Sequence, residues 1–182
     1  MEEGTPINVK QAPAKRRRRW WIDVAIVAVA FLAVHAFVTR GIVRGPLPPL
    51  QGVLADGAAT SVVQWQQAQG GEAFLLYVWA SWCPICKTVE GSIDAVARDA
   101  AVLTVAMQSG DAAQVGRFLA ARGYRWPTLV DDDARLSRQL GVDAVPTLIF
   151  VDRAGRVRAA TQGYTSEIGI RLRLWWAGRG GA

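Results

Sequence analysis

The chain has 182 residues, of which 51% are hydrophobic, and it carries a formal net charge of +6 at pH 7. This length and apolar content suffice for one domain with its own core plus extensions, and they exclude a disordered chain. Two cysteines are too few for a small scaffold held together by disulfides.

The positive charge is concentrated near the N-terminus. Residues 1–44 hold eight of the 21 basic residues and three of the 15 acidic ones, which leaves 13 basic and 12 acidic residues after position 44. This balance gives no support for nucleic acid binding by the folded part of the chain. We therefore expect no nucleic acid partner.

An apolar segment, residues 20–38, follows the basic cluster 15–19 directly. As a helix, the segment is just long enough to cross a hydrocarbon core of about 30 Å. Basic residues on its N-terminal side predict a cytoplasmic N-terminus and export of the part that follows. We assign residues 1–19 to a basic cytoplasmic tail and residues 20–39 to a transmembrane anchor.

A cleaved signal peptide is the alternative, because Val34-His35-Ala36 is similar to a small-residue cleavage site. The long polar lead before the apolar segment and its spanning length favour a retained anchor. Both interpretations place the following domain on the outer side of the membrane.

Glycine and proline are frequent in residues 40–50, which predicts a short, stiff linker. We place the folded domain at residues 51–176 and a flexible tail at 177–182. Within the domain, apolar runs alternate with helical patterns. The predicted strands are 59–63, 72–79, 102–107, 127–130, 147–151 and 157–161, and the predicted helices are 64–69, 84–98, 112–122 after an Asp111 cap, 134–140 and 165–176.

Strands that alternate with helices and end in a hairpin and a helix predict an α/β fold, with a central mixed sheet covered by helices on both faces. In the helix 84–98, the spacing of Ile85, Val89, Ile93 and Val96 predicts one buried face.

Both cysteines lie where a strongly apolar strand leads into a helix. Cys83-Pro84-Ile85-Cys86 follows the strand 72–79 almost directly. This arrangement delivers two sulfurs to the first turn of a helix, where unpaired backbone N–H groups favour a thiolate. The layout predicts a dithiol/disulfide redox site, with Cys83 as the attacking sulfur and Cys86 as the shielded resolving thiol.

Other roles for the cysteine pair have less support. A structural zinc site needs four ligands, and beyond the two cysteines the chain offers one histidine, His35, inside the apolar segment. A purely structural disulfide across four residues would gain little stability. We therefore expect no metal and no cofactor. The alternative is a tethered Cu(I)-binding module that uses the two thiols as soft ligands.

Three neighbours of the cysteines carry further predictions. Trp82 is expected to shield Cys83 and to shape a docking surface, and Trp79 is expected to pack in the sheet. Glu90 shares a helix face with both cysteines, so it could relay a proton to or from Cys86. We favour the simpler interpretation, in which Glu90 is an exposed helix charge.

The run Trp82-Cys83-Pro84-Ile85-Cys86-Lys87 and the later Val145-Pro146-Thr147 resemble the thioredoxin superfamily. The N-terminal apolar segment, Gly163-Tyr164 and residues 105–111 resemble more specifically its membrane-anchored TlpA/ResA-like branch. Within that branch, the chain is most similar to the thioredoxin-like proteins of bacterial suppressor-of-copper-sensitivity systems.

This resemblance implies a thioredoxin-like fold and thiol:disulfide exchange with protein cysteines or disulfides. It places the chain as a single-pass protein in a bacterial inner membrane, with its domain facing the periplasm and a role in copper tolerance. In this superfamily the proline equivalent to Pro146 is cis and faces the cysteines, so that the backbone of Val145 can pair with an extended substrate. Trp82 and Pro84 complete the implied substrate-binding set, and a membrane protein that donates or accepts electrons is the implied redox partner.

The chain departs from thioredoxin itself at two places. Tyr77 stands where thioredoxin has a buried aspartate, so that proton acceptor is missing. Pro84-Ile85 stands between the cysteines where thioredoxin has Gly-Pro, so the reduction potential cannot be carried over by analogy.

Overall fold

The computed structural model describes the backbone of residues 15–180 and the side chains of residues 20–180, except those of Phe31 and His35. Residues 1–14, which make up most of the predicted cytoplasmic tail, and residues 181–182 lie outside the described residues. The chain forms two compact units that divide after Phe37.

The first unit contains helix α1 (Lys15–Val38). Its stretch Trp20–Val38 has 19 residues and a mean hydropathy of 2.3. By length and composition this helix is a candidate membrane span, and a signal sequence would meet the same criteria.

The second unit is built on a six-stranded mixed sheet and a separate two-stranded sheet. The strands are β1 (Gly45–Pro46), β2 (Gln51–Val53), β3 (Ala59–Ser61), β4 (Phe74–Trp79), β5 (Val102–Met107), β6 (Thr128–Asp131), β7 (Thr147–Val151) and β8 (Arg156–Gln162). The large sheet has the order β1-β8-β7-β4-β5-β6, with β4, β5 and β6 parallel and the other pairs antiparallel. The predicted mixed α/β sheet is confirmed.

Helices cover both faces of this sheet. They are α2 (Val62–Ala68), α3 (Pro84–Ala97), α4 (Ala112–Ala121), α5 (Arg135–Gln139) and α6 (Glu167–Arg179). Alternate side chains of β4 enter two separate cores, with Leu75, Tyr77 and Trp79 on the face of α3, α4 and α6. The other side chains of β4 face the core to which α2 and α5 contribute. Coverage of both faces explains why every residue of β4 is apolar or aromatic and buried.

The sheet brings the two sequence motifs together at one of its ends. β4 ends at Trp79, four residues before Cys83, and α3 starts immediately after that cysteine. Because β7 runs antiparallel to β4 with Thr147 opposite Val78, Pro146 lies at the same end of the sheet.

The segment 40–50, predicted as a linker, is packed onto the domain instead. Ile42 and Leu50 are only 4% and 1% exposed, and both belong to the core on the α2 and α5 face. The N–H of Val43 donates to the carbonyl of Leu140 at 2.9 Å, and β1 pairs with β8. Burying each large aliphatic side chain stabilises the fold by about 1.5–3 kcal/mol, which explains why a glycine- and proline-rich segment is held in place.

Two further differences concern helices. α6 continues to Arg179 with Ala177 fully buried, so the first part of the predicted flexible tail 177–182 is helical. In α3, Ile85 was predicted on the buried face but is 53% exposed. Cys86 lies on the buried face in its place.

Candidate active site

Cys83 caps the N-terminus of α3. Its Sγ accepts a hydrogen bond from the backbone N–H of Cys86 at 3.1 Å, and Pro84 follows as the first helical residue, where a missing N–H costs nothing. The same Sγ lies 3.6 Å from the carbonyl oxygen of Val145. A sulfur in this position meets free N–H groups and the positive end of the helix dipole, both of which stabilise a thiolate.

Cys86 lies one turn inside α3 and is fully buried, and both cysteines are free thiols in this structure. Burial, and after it a hydrogen bond with Cys83, raise the pKa of Cys86 to about 12. The Cys86 thiol is therefore protonated at neutral pH and must lose its proton before it can act as a nucleophile.

Tyr77 is a fully buried neighbour of this thiol, on β4. Burial raises its pKa well above the usual range, and the charges of Cys86 and Glu90 act in the same direction. The hydroxyl lies close enough to lower the pKa of Cys86 slightly, although it makes no hydrogen bond of standard geometry. Since Tyr77 stays protonated, it can stabilise a thiolate on Cys86 but cannot take up the proton.

Glu90 is buried, with only 3% of its surface exposed, so our preferred prediction of an exposed helix charge is wrong. Its Oε2 accepts from a guanidinium nitrogen of Arg122 at 2.6 Å and from the Tyr124 hydroxyl at 3.2 Å. Burial and the Glu90 charge both raise the pKa of Tyr124. A buried carboxylate one helical turn beyond Cys86, held by two partners, is placed as a candidate proton acceptor.

The loop after β5 fixes the segment that precedes Cys83. The indole N–H of Trp82 donates to the carbonyl of Gln108 at 3.0 Å, while the backbone N–H of Ser81 donates to the Ser109 hydroxyl at 2.9 Å. Trp82 nevertheless remains 59% exposed, which leaves its ring available at the surface beside Cys83.

Trp79 packs in the sheet, as predicted. It is fully buried, its indole N–H donates to the Thr104 hydroxyl at 3.1 Å, and its ring stacks on Phe118.

The Val145–Pro146 peptide bond is cis, which confirms the expectation from the resemblance. The carbonyl of Pro146 accepts from the N–H of Gly163 at 2.8 Å, which ties this loop to the end of β8. Among residues 15–180, the Val145 N–H makes no hydrogen bond. The backbone beside Cys83 therefore keeps an unused donor.

Arg122, Tyr124 and the contacts of Gln108 and Ser109 were not predicted from the sequence. Arg122 and Tyr124 lie 32 and 34 positions after Glu90, beyond any helical or strand periodicity. Residues 105–111 did enter the resemblance, but nothing in their spacing indicated a contact with Trp82.

In the part of the chain that the structure describes, no group of three or more His, Cys, Asp or Glu side chains could hold a metal ion. Cys83 and Cys86 are a pair of soft donors that would suit Cu(I) in a two-coordinate site.

Comparison with known proteins agrees with this geometry. A family model described as Redoxin matches residues 43–169. A thioredoxin-like protein of Haemophilus influenzae is 30% identical over 104 residues, which cover 57% of this chain and 62% of that protein. The chain thus spans less than two thirds of the length of this relative.

Two further relatives cover more. The thiol-disulfide oxidoreductase ResA of Halalkalibacterium halodurans is 23% identical over 164 residues, which cover 84% of this chain and 92% of ResA. The crystal structure of the pneumococcal exposed lipoprotein thioredoxin Etrx1 from Streptococcus pneumoniae superposes with a TM-score of 0.61 at 25% identity, over 70% of this chain and 98% of Etrx1. The chain therefore belongs to the Redoxin family, as a thioredoxin-like thiol:disulfide oxidoreductase.

Proposed function

We propose that this oxidoreductase is anchored in a bacterial inner membrane by α1 and faces the periplasm, where it exchanges electrons with protein cysteines or disulfides. The observation that carries the chemistry is the pair formed by Cys83 at the helix cap and Cys86 buried behind it. The anchor and its orientation are supported by the apolar stretch Trp20–Val38 and by the basic residues before it.

In the reducing direction, the Cys83 thiolate attacks one sulfur of a substrate disulfide and forms a mixed disulfide, while the other substrate sulfur leaves as a thiolate. Cys86 then loses its proton and attacks the Sγ of Cys83. The substrate sulfur that was bonded to Cys83 leaves as a thiolate, and an internal Cys83–Cys86 disulfide remains. Two electrons have passed to the substrate, and the oxidising direction is the exact reverse.

Protein substrates are the class that best fits the surface around Cys83. Trp82, Pro84 and Ile85 are exposed there, and they offer an apolar rim to a substrate segment. The free N–H of Val145 can pair with the backbone of an extended chain, as at an open sheet edge. These groups recognise polypeptide rather than a small thiol.

The partner that resets the site is, in our proposal, a membrane protein that donates or accepts electrons. A place in a copper-tolerance system rests on the resemblance to the suppressor-of-copper-sensitivity proteins. The alternative of a tethered Cu(I)-binding module uses the same two thiols, but it assigns no role to the free Val145 N–H or the apolar rim.

Replacing each cysteine by serine separates these functions. In the purified full-length protein, Cys83→Ser should abolish disulfide turnover, because the thiol that caps α3 and makes the first attack is gone. Cys86→Ser should retain the first step and accumulate mixed disulfides, which are visible as reducible adducts on denaturing gels. Retained turnover in Cys83→Ser, or tight Cu(I) binding by a wild-type protein that has no turnover, would contradict the proposal.

We further propose that Glu90 accepts the proton of Cys86 when the mixed disulfide is resolved. Cys86 cannot attack as a thiol, and Tyr77 cannot take the proton. The buried Glu90 carboxylate lies on the same face of α3, and its charge reaches Tyr77. Arg122, at the C-terminal cap of α4, and Tyr124, in the loop after it, hold the carboxylate in place.

Glu90→Gln should therefore slow resolution of the mixed disulfide by about 10²-fold at neutral pH, while its formation rate changes little. Stopped-flow single turnovers resolve the two steps. Raising the pH should restore the lost rate, since hydroxide can then remove the Cys86 proton. The matched control is Asp94→Asn, one turn further along α3, which removes an exposed pair with Arg98. Equal slowing of both steps, or a loss that persists at high pH, would indicate a merely structural role.

The anchor is tested in cells that express the full chain. The protein should remain in the membrane fraction after high-salt and alkaline washes and should be released by detergent. After mild reduction of spheroplasts, a membrane-impermeant maleimide should label Cys83. A mature protein that begins near Phe37, or Cys83 that is labelled only after lysis, would contradict the proposed topology.

A further inference from the structure

The outer face of α6 is unusually apolar for an exposed surface. Its inner side packs into the core through Ile170 and Ala177. Its outer side presents Ile168, Leu172, Trp175 and Trp176, which are 80%, 62%, 54% and 50% exposed. The spacing places these side chains along one side of the helix, and a helix that is apolar on both sides normally has a partner on each.

Basic side chains lie over the two tryptophans. The guanidinium of Arg179 is 3.9 Å from the ring centre of Trp175, and that of Arg158 on β8 is 5.4 Å from the ring centre of Trp176. Exposed tryptophans bordered by arginines are the composition found where proteins meet a phospholipid headgroup region.

This tryptophan pair lies at the end of the sheet where the chain enters the domain. Gly45 pairs with Val157, which directly precedes Arg158 in β8. Val157 pairs in turn with Val151, opposite the first residue of β4. Cys83 follows the last residue of β4, so the redox site lies at the opposite end.

The covalent connection to α1 is short. Residues 39–41 separate Val38, the last residue of α1, from Ile42, the first apolar side chain of the domain core. Four Cα–Cα steps span at most about 14 Å. If α1 crosses a membrane, the entry end of the domain is therefore held close to the headgroups.

Other charges at this end do not oppose an anionic surface. Arg44 and Arg156 are exposed beside β1. Glu72 is paired with Arg153 at 2.8 Å, and the buried Asp152 lies 3.9 Å from Arg158. Asp99, which lines the same surface pocket as Trp175, and Glu167 are both paired with Arg171. The unpaired charge that faces outwards is therefore basic, which favours anionic phospholipid over a neutral surface.

We propose that the C-terminal part of the outer face of α6, with Trp175 and Trp176, rests on the anionic phospholipid surface of the membrane and thereby holds Cys83 at the end of the domain that points away from it. This inference builds on the proposed anchoring by α1. It adds a second membrane contact and an orientation for the redox site.

The test uses the full-length protein in nanodiscs of phosphatidylglycerol and phosphatidylcholine, with and without brominated acyl chains. The emission of the double variant Trp175→Phe/Trp176→Phe is subtracted from that of the wild type. The difference is the emission of Trp175 and Trp176, because the other tryptophans contribute equally to both proteins. The matched control is the emission lost in Trp82→Phe, because Trp82 is 59% exposed at the opposite end of the domain.

Brominated lipid should quench the emission of Trp175 and Trp176 by about half or more and leave that of Trp82 unchanged. Acrylamide in the buffer should quench the emission of Trp82 and leave that of Trp175 and Trp176 largely unchanged. Discs of phosphatidylcholine alone should give weaker quenching by brominated lipid. Equal quenching in the two lipids would contradict the attraction to anionic headgroups.

If the protein co-elutes with the discs but acrylamide quenches Trp175 and Trp176 as strongly as Trp82, the docking of α6 is overturned. The anchoring by α1 is not affected by that result. Protection from both quenchers, with two chains per disc, would show that a second copy covers this face and would also overturn the docking. A protein that does not co-elute with the discs would contradict the anchoring by α1 and the docking with it.

Discussion

Burial of Cys86 behind Cys83 is the constraint on which the rest of the site depends. Cys86 has no solvent contact, and its pKa rises to about 12. At pH 7 a thiol with a pKa that high is almost entirely protonated. The capping sulfur of Cys83 accepts a hydrogen bond from the backbone N–H of Cys86, which stabilises a thiolate, so the two sulfurs of one helical turn lie in different environments. In our proposal, that difference assigns attack to Cys83 and resolution to Cys86.

The same constraint explains the polar residues beneath the helix. Deprotonation of a buried thiol needs an acceptor within the protein, and Tyr77, which occupies the position of thioredoxin's aspartate, stays protonated. In our proposal, Glu90 supplies the carboxylate instead, from α3 rather than from β4. Burying an unpaired carboxylate costs free energy. The ion pair of Glu90 with Arg122 and the hydrogen bond from Tyr124 offset that cost.

Local patterns in the sequence were enough to predict five of the six strands of the large sheet, β4 to β8, and the cysteine pair. The strands Val102–Met107 and Thr147–Val151 were predicted to the residue, because uninterrupted apolar runs bounded by turns leave little choice of limits. The cis bond before Pro146 followed from resemblance rather than from local physics. The buried thiol also followed from its position one turn inside a helix that starts after a buried strand.

What the sequence could not predict depends on contacts between distant segments. Ile42 and Leu50 lie among glycines and prolines, and only the assembled core shows that these side chains anchor the segment. The sequence of α3 alone predicts that Glu90 is a surface charge. Only the folded structure shows that Arg122, at the C-terminal cap of α4, lies against it. Ile85 reads as a core residue, yet the helix begins one residue after Cys83, and this phase turns Ile85 outwards and Cys86 inwards.

The most direct test of this account is the pH dependence of alkylation of the two thiols in the reduced, full-length wild type. Brief treatment with iodoacetamide between pH 6 and pH 10, followed by peptide mapping, gives the rate for each cysteine. We expect Cys83 to carry the label at pH 7 and the rate for Cys86 to rise about tenfold per pH unit without levelling off by pH 10. Labelling of Cys86 as fast as that of Cys83, or a Cys86 rate that levels off near pH 9, would contradict the account.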